Sequence, residues 1–327
     1  MKVFAYSCRR FDEQEYFERY AREFGFDLGF TEEPPSPSNC DLAAGSDFVS
    51  VLTTPITAEI LDRLSELGVR MVCTRTIGYN HIDLAHAKEV GIAVSHISYS
   101  IDGVAEYTVM MILAAIRRLK EIQANNAVND FRLEGLMGRQ LRDLTVGIVG
   151  AGSAGKAVLR DLSGFGCRLV YSNRSPSPEA DRYGRRVSLD ELLAESDVVS
   201  LHLEHNEQTH HIMGDEAFSR MKEGAFFVNT ARGPLVDTGA LIRALRSGRL
   251  AGAALDVIED ELQYYYNDCR ERDMSGHLME ELRSMPNVMV THHMAFYYDR
   301  AISDMVRNSF VSMKAMGEGR EVPLRLV

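Results

Sequence analysis

The chain has 327 residues, enough for two domains of ordinary size. Its apolar fraction of 45% and charged fraction of 25% are those of a globular protein, not of a disordered or fibrous one. Lys and Arg number 36 against 47 Asp and Glu, a net charge of −11, which argues against nucleic acid or an anionic membrane as partner.

Five cysteines are scattered through the chain, Cys8, Cys40, Cys73, Cys167 and Cys269, with no C-x-x-C pair. Reduced thiols in a cytoplasmic protein are the expectation. The N-terminus meets charge too soon for a secretory segment, and the longest apolar run, 109–116, is far short of a membrane span. The histidine pairs His210-His211 and His292-His293 lack metal-ligand spacing, so no metal is expected.

In chain order, strands are predicted at 2–6, 48–52, 71–74 and 92–94, and helices at 13–24, 58–67 and 85–90. Residues 32–39, with three prolines and two serines, read as a loop. This alternation predicts a first, smaller α/β domain with a parallel sheet. Apolar residues over 102–119 fit one long buried helix, and 97–100 before it a hinge. Residues 124–142 are more polar and interrupted by glycines. Beyond 145 the alternation resumes, with strands at 198–203, 225–229, 252–257 and 288–291 and helices at 189–194, 215–221 and 240–247. A final helix over 299–316 is placed to return to the first domain.

Residues 145–174 carry the most information. A β-rich run through Val146, Ile148 and Val149 ends in Gly150, and Gly150, Gly152 and Gly155 fit G-x-G-x-x-G. A helical stretch and a second strand-like run, 168–171, follow. Strand, glycine turn, helix and strand are the context of a dinucleotide fingerprint. The glycines serve a tight turn, close approach to a pyrophosphate and helix–strand packing, with the phosphate at the helix N-terminus. NAD enzymes carry an acid after the second strand, on the ribose 2′-hydroxyl. Here Ser172, Asn173 and Arg174 stand instead. Arg174 suits a 2′-phosphate, so NADPH is favoured over NADH.

Three later strands end in polar residues. The first runs into Asn229, Thr230 and Arg232, an arginine placed to fork onto a carboxylate. The second ends in Asp256, Glu259, Asp260 and Glu261, and the third in His292 and His293. Hydride transfer to a carbonyl needs a proton donor, a carboxylate to hold it charged and a cation for the substrate. Arginine, carboxylate and histidine in this order supply that set. The residue patterns alone leave open which acid and which histidine act.

The chain resembles the D-isomer-specific 2-hydroxyacid dehydrogenases over essentially its whole length, and within them the D-lactate dehydrogenases, including the vancomycin-resistance type. N-T-A-R-G-P-L-V-D is similar to the family's arginine signature, A-L-D-V-I-E-D-E to its acidic signature and V-T-H-H-M-A-F-Y-Y to its histidine segment. The resemblance implies Arg232 as substrate arginine, Glu261 (five residues after Asp256) as the catalytic glutamate and His293 as acid/base, with His292 in a proline's place. It implies Ile77, Gly78 and Tyr99 at the substrate. At the cofactor it implies Gly150, Gly152, Ser153, Ala154, Gly155, Ser172, Asn173, Arg174, Leu203, Glu204, Thr209, Thr230, Ala231 and Asp256. Departures are Ile101 for a proline, Met294 and Tyr298 for smaller residues, and His202-Leu203-Glu204 for H-V-P.

The implied fold is α/β, two doubly wound parallel-sheet domains. A Rossmann nucleotide domain, 101–298, is inserted into a flavodoxin-like substrate domain, 1–100 plus 299–327. The implied activity is NAD(P)H-dependent reduction of a small 2-oxo acid to the D-2-hydroxy acid, pyruvate to D-lactate first, by a homodimer joined through 102–142. One alternative is a bulkier branched or aromatic 2-oxo acid, for which Val51, small and apolar, leaves space. Another, of a different class, is a non-catalytic nucleotide-sensing corepressor or scaffold.

Overall fold

Short apolar runs alternate with amphipathic helices from the N-terminus onward. The first stretch comprises β1 (Lys2–Ala5), α1 (Gln14–Phe24), β2 (Asp27–Phe30), β3 (Phe48–Val51), α2 (Ala58–Glu66), β4 (Met71–Thr74), α3 (Leu84–Glu89) and β5 (Ala93–Ser95). Then come α4 (Asp102–Ile116), α5 (Leu119–Ala127), β6 (Thr145–Val149), α6 (Ser153–Ser163), β7 (Arg168–Ser172), β8 (Arg185–Arg186), α7 (Leu189–Glu195) and β9 (Val198–Leu201). The chain ends with α8 (Asp215–Arg220), β10 (Ala225–Asn229), α9 (Thr238–Arg246), β11 (Leu250–Leu255), α10 (Leu278–Ser284), β12 (Val288–Val290) and α11 (Asp299–Gly317). These elements are those of a computed structural model describing residues 1–327. Its internal contacts define two units, 1–100 with 297–327, and 101–296.

The first unit holds a five-stranded sheet in the order β2-β1-β3-β4-β5, every pair parallel. This is the flavodoxin-like order. Helix α11 belongs to this unit. Its Phe310 ring meets Phe17, Phe24 and Phe26 at 5.9, 6.2 and 5.4 Å between centroids.

The second unit holds seven parallel strands in the order β12-β11-β10-β9-β6-β7-β8. Both faces are covered, so strand residues alternate between two cores. Phe227 joins one hydrophobic cluster, while Phe226 and Val228 join the other. The chain leaves β6 toward β8, then returns to β9 and runs out to β12. Strand order therefore reverses between β6 and β9, which is where open parallel sheets bind dinucleotides.

Four features depart from the expectation. The long helix stops at Ile116, because Arg118 takes a left-handed conformation, φ 56°, and α5 begins after it. Strands β2 and β8 and helix α10 were not predicted. D-L-G-F contains a glycine and is only half-buried, R-R has no apolar residue, and α10 has only seven residues. Register with a neighbour makes the two edge strands, and nothing local announces them.

Candidate active site

The glycine turn follows β6. Gly150 has φ 98°, and a side chain there would meet the His202 carbonyl at 2.6 Å. A Cβ at Gly155 would lie 1.9 Å from the Gly150 carbonyl. At Gly152 a Cβ would meet nothing within 4 Å. Gly152 is the N-cap of α6 and offers no side chain to its first N–H groups, which belong to the turn that includes Ser153 and Ala154. Open space in front of uncapped N–H groups suits a dinucleotide pyrophosphate. The residues present therefore fit that cofactor.

The end of β7 is tied to this turn. Gly150 N donates to the Ser172 carbonyl at 2.8 Å, and Ala151 N donates to Asn173 Oδ1 at 3.0 Å. Arg174 is exposed and in no ion pair. A second arginine, Arg186 of β8, donates to the carbonyls of Asn173 and Arg174 at 3.0 and 3.1 Å. Sequence reasoning missed Arg186, whose strand carries no apolar signal.

Beyond β9, His202 Nε2 lies 2.9 Å from Ser200 Oγ, and burial pushes its pKa down to about 4. Leu203 is half-buried and Glu204 exposed. The Thr209 hydroxyl donates to the Glu204 carbonyl at 2.7 Å and accepts from Asn206 N at 2.9 Å, so it braces the loop.

Beyond β10, Asn229 folds the arginine turn on itself. Its Oδ1 accepts from Ala231 N at 3.0 Å and its Nδ2 donates to the Arg232 carbonyl at 2.9 Å. Thr230 Oγ1 lies 2.8 Å from Thr108 Oγ1 on α4. Gly233 lets this turn pass close to the next strand end, since a Cβ there would meet the Ile258 carbonyl at 2.1 Å. Arg232 itself is exposed and has no carboxylate partner.

Beyond β11 and β12 the acids and histidines separate by contact. Glu261 Oε1 meets His293 Nδ1 at 2.6 Å, and its Oε2 accepts from Ile258 N at 2.8 Å. Glu259 is engaged elsewhere, with the Thr238 hydroxyl at 2.5 Å, Thr238 N at 2.9 Å and His211 Nε2 at 2.6 Å. Burial opposes the Glu259 charge, but these donors hold its carboxyl below the usual range. His292 is exposed, its ring edge-on to Tyr265. Asp256 is fully buried and accepts from Thr291 Oγ1, Met294 N and Ala295 N at 2.5, 2.8 and 2.9 Å. Both its oxygens are thus turned to the histidine loop.

In the other unit, Ile77 is exposed and Gly78 half-buried, in the turn after β4. The Thr76 hydroxyl donates to the Gly78 carbonyl at 2.5 Å. Tyr99 is half-buried, two residues past Ile97. Val51 is fully buried in the core of the first sheet, so it offers no open space of its own.

Residues 109–295 match the family model described as D-isomer specific 2-hydroxyacid dehydrogenase, NAD binding domain. The chain belongs to the D-isomer specific 2-hydroxyacid dehydrogenase family. It is accordingly an NAD-dependent oxidoreductase of D-2-hydroxy acids. A D-specific alpha-keto acid dehydrogenase of Enterococcus faecium is 42% identical over 94% of both chains. An aromatic 2-oxoacid reductase of Clostridium sporogenes is 36% identical over 96% of both. Among solved structures, a Lactobacillus jensenii D-lactate dehydrogenase with NAD+ superimposes with TM-score 0.91 at 28% identity, covering 100% of each chain.

Proposed function

We propose that the protein reduces pyruvate to D-lactate, with His293 as proton donor, Glu261 as its counter-charge and Arg232, Ile77 and Gly78 as the substrate carboxylate's partners. The 2.6 Å contact of His293 Nδ1 with Glu261 Oε1 carries this reading. With Nδ1 turned to the carboxylate, Nε2 is the nitrogen left for the substrate oxygen. A dinucleotide held at the turn through Gly150, Gly152 and Gly155 would supply the hydride. His293 gives its Nε2 proton to the developing alkoxide and recovers one from solvent. Arg232 forks onto the carboxylate and sets which carbonyl face is open.

NADPH serves at least as well as NADH in this reading. Ser172 presents no carboxylate to repel a 2′-phosphate, while Arg174 is free of ion pairs and Arg186 lies beside it. The remaining cofactor contacts fall to Gly150, Gly152, Ser153, Ala154, Gly155, Asn173, Leu203, Glu204, Thr230 and Ala231. Asp256 and Thr209 act by holding their loops. A bulkier 2-oxo acid is the second reading, favoured by the identity to the aromatic 2-oxoacid reductase and not by Val51.

The working unit is a homodimer. Exposed Val128, Phe131, Leu133 and Met137 follow α5, and Met110, Leu119 and Ile122 are exposed on α4 and α5. So many exposed apolar side chains within one stretch of chain favour an interface there. No helix is long and apolar enough to cross a membrane.

Purified protein assayed with NADH and NADPH against a panel of 2-oxo acids tests the reading. Pyruvate reduction to D-lactate with NADPH at least matching NADH is expected. L-lactate, a wide preference for NADH, or a bulkier acid far ahead of pyruvate would each overturn its part. Tight cofactor binding without turnover on any acid would favour a sensor.

A further inference from the structure

After Glu261 the chain makes a long excursion, residues 264–277, with no helix or strand before α10. Loops of this length inside a compact unit are uncommon and usually functional. Two consecutive tyrosines in it reach back to the histidine loop. The Tyr265 hydroxyl donates to the Thr291 carbonyl at 3.1 Å, and the Tyr266 hydroxyl donates to the His293 carbonyl at 3.0 Å. The Tyr266 ring stands edge-on to Phe296, which stands edge-on to His293, at 6.3 and 5.9 Å.

The backbone here needs such support. Asp260, Tyr266 and His293 have φ of 57°, 67° and 58°, and His211, bonded to Glu259, has 51°. Three of the eight non-glycine residues with positive φ in the chain, Asp260, Tyr266 and His293, thus lie in or beside the segments that carry the Glu261–His293 pair. Left-handed backbone in bulky residues persists only where surroundings hold it. Asp256 holds the loop from one side, its carbonyl accepting from His293 N at 2.7 Å. The tyrosines hold carbonyls of the same loop.

We propose that Tyr265 and Tyr266 are positioning residues that clamp the histidine loop, so that the His293 imidazole meets both Glu261 and the substrate in one fixed orientation. Tyr265 is almost fully buried, and burial keeps its hydroxyl protonated, hence a donor. Tyr266 is half-exposed and removes little packing when its oxygen is lost. The clamp rests on the role given to His293 above.

Tyr266→Phe and Tyr265→Phe test it in the full-length enzyme with NADH and pyruvate. Because a misaligned donor affects the chemical step, kcat is expected to fall about 3–10-fold, the scale of one hydrogen bond. The KM for pyruvate and the dissociation constant of NADH stay within about 2-fold, as expected when an interaction felt only in the transition state is lost. In a His293→Ala background the same tyrosine substitutions have no further effect. Tyr264→Phe, whose ring lies edge-on to His277 instead, is silent. If Tyr265→Phe does not fold, Tyr266→Phe decides alone. An unchanged kcat, a loss confined to KM, or a loss that persists without His293 overturns the clamp. Failure of the catalytic reading would look different, since unmodified enzyme would then reduce no 2-oxo acid or would keep its turnover in His293→Ala.

Discussion

The 2.6 Å contact between the His293 imidazole and the Glu261 carboxylate fixes which ring nitrogen is bonded, Nδ1, and which is left for the substrate, Nε2. In the proposed mechanism His293 gives the proton that must reach the new alkoxide. Glu261→Gln keeps the shape and removes the counter-charge, so kcat should fall roughly 10–100-fold, the scale of one charge-assisted hydrogen bond. Steady-state assays of the two proteins with pyruvate and saturating coenzyme would record the loss. An unchanged kcat would mean that Glu261 does not serve the reacting histidine. Glu259→Gln is the control, because Glu259 already serves Thr238 and His211.

At the scale of elements, the turn between β6 and α6 separates cofactor contact from folding. Gly152→Ala adds a methyl where the protein has open space, in a conformation with φ −69° that alanine adopts. Its Tm should match the parent, while NADH and NADPH affinity falls by about tenfold or more through loss of close phosphate approach. Gly155→Ala drives a methyl into the Gly150 carbonyl, so its Tm should fall by several degrees. Equal effects on Tm and affinity in the two variants would contradict this division. Fluorescence titration with each coenzyme, beside thermal melts, distinguishes the two.

The same scale explains what could be read beforehand. Buried strands such as β4 and β10 announce themselves because parallel sheets covered on both faces need continuous apolar runs. The histidine and the acids stand at ends of such strands and were equally visible. Which of Glu259 and Glu261 meets His293 rested on family spacing, since both lie just beyond β11. Tyr265, Tyr266 and Arg186 were not legible. Their roles depend on hydrogen bonds to carbonyls 12–27 residues away, and a carbonyl carries no side-chain signature.

For the whole molecule, pH acts on stability through buried groups. His202 has its pKa depressed to about 4, so the folded protein resists protonating it while the unfolded chain does not. Its contribution is complete above about pH 6.5, the ordinary histidine value, and is lost as pH falls toward 4. Carboxyls held low, such as Glu259 and Asp197, give way only below about pH 4.5. Denaturant midpoints should therefore fall between pH 7 and pH 5, and fall less in His202→Gln. An equal fall in both proteins would assign that window to other groups. The exposed apolar run after α5 makes a second prediction at this scale. Phe131→Asp combined with Leu133→Asp should convert a dimer to a monomer in sedimentation equilibrium, whereas a parent that is already monomeric would contradict the dimer.

The most direct measurement compares turnover of His293→Ala and His292→Ala with pyruvate and saturating coenzyme, alongside coenzyme dissociation constants. Loss of the proton donor should lower kcat of His293→Ala roughly 10²–10⁴-fold, with coenzyme affinity nearly unchanged and His292→Ala close to the parent. A larger loss from His292→Ala, or a His293→Ala enzyme that keeps its turnover, would contradict the assignment of His293 as the acid.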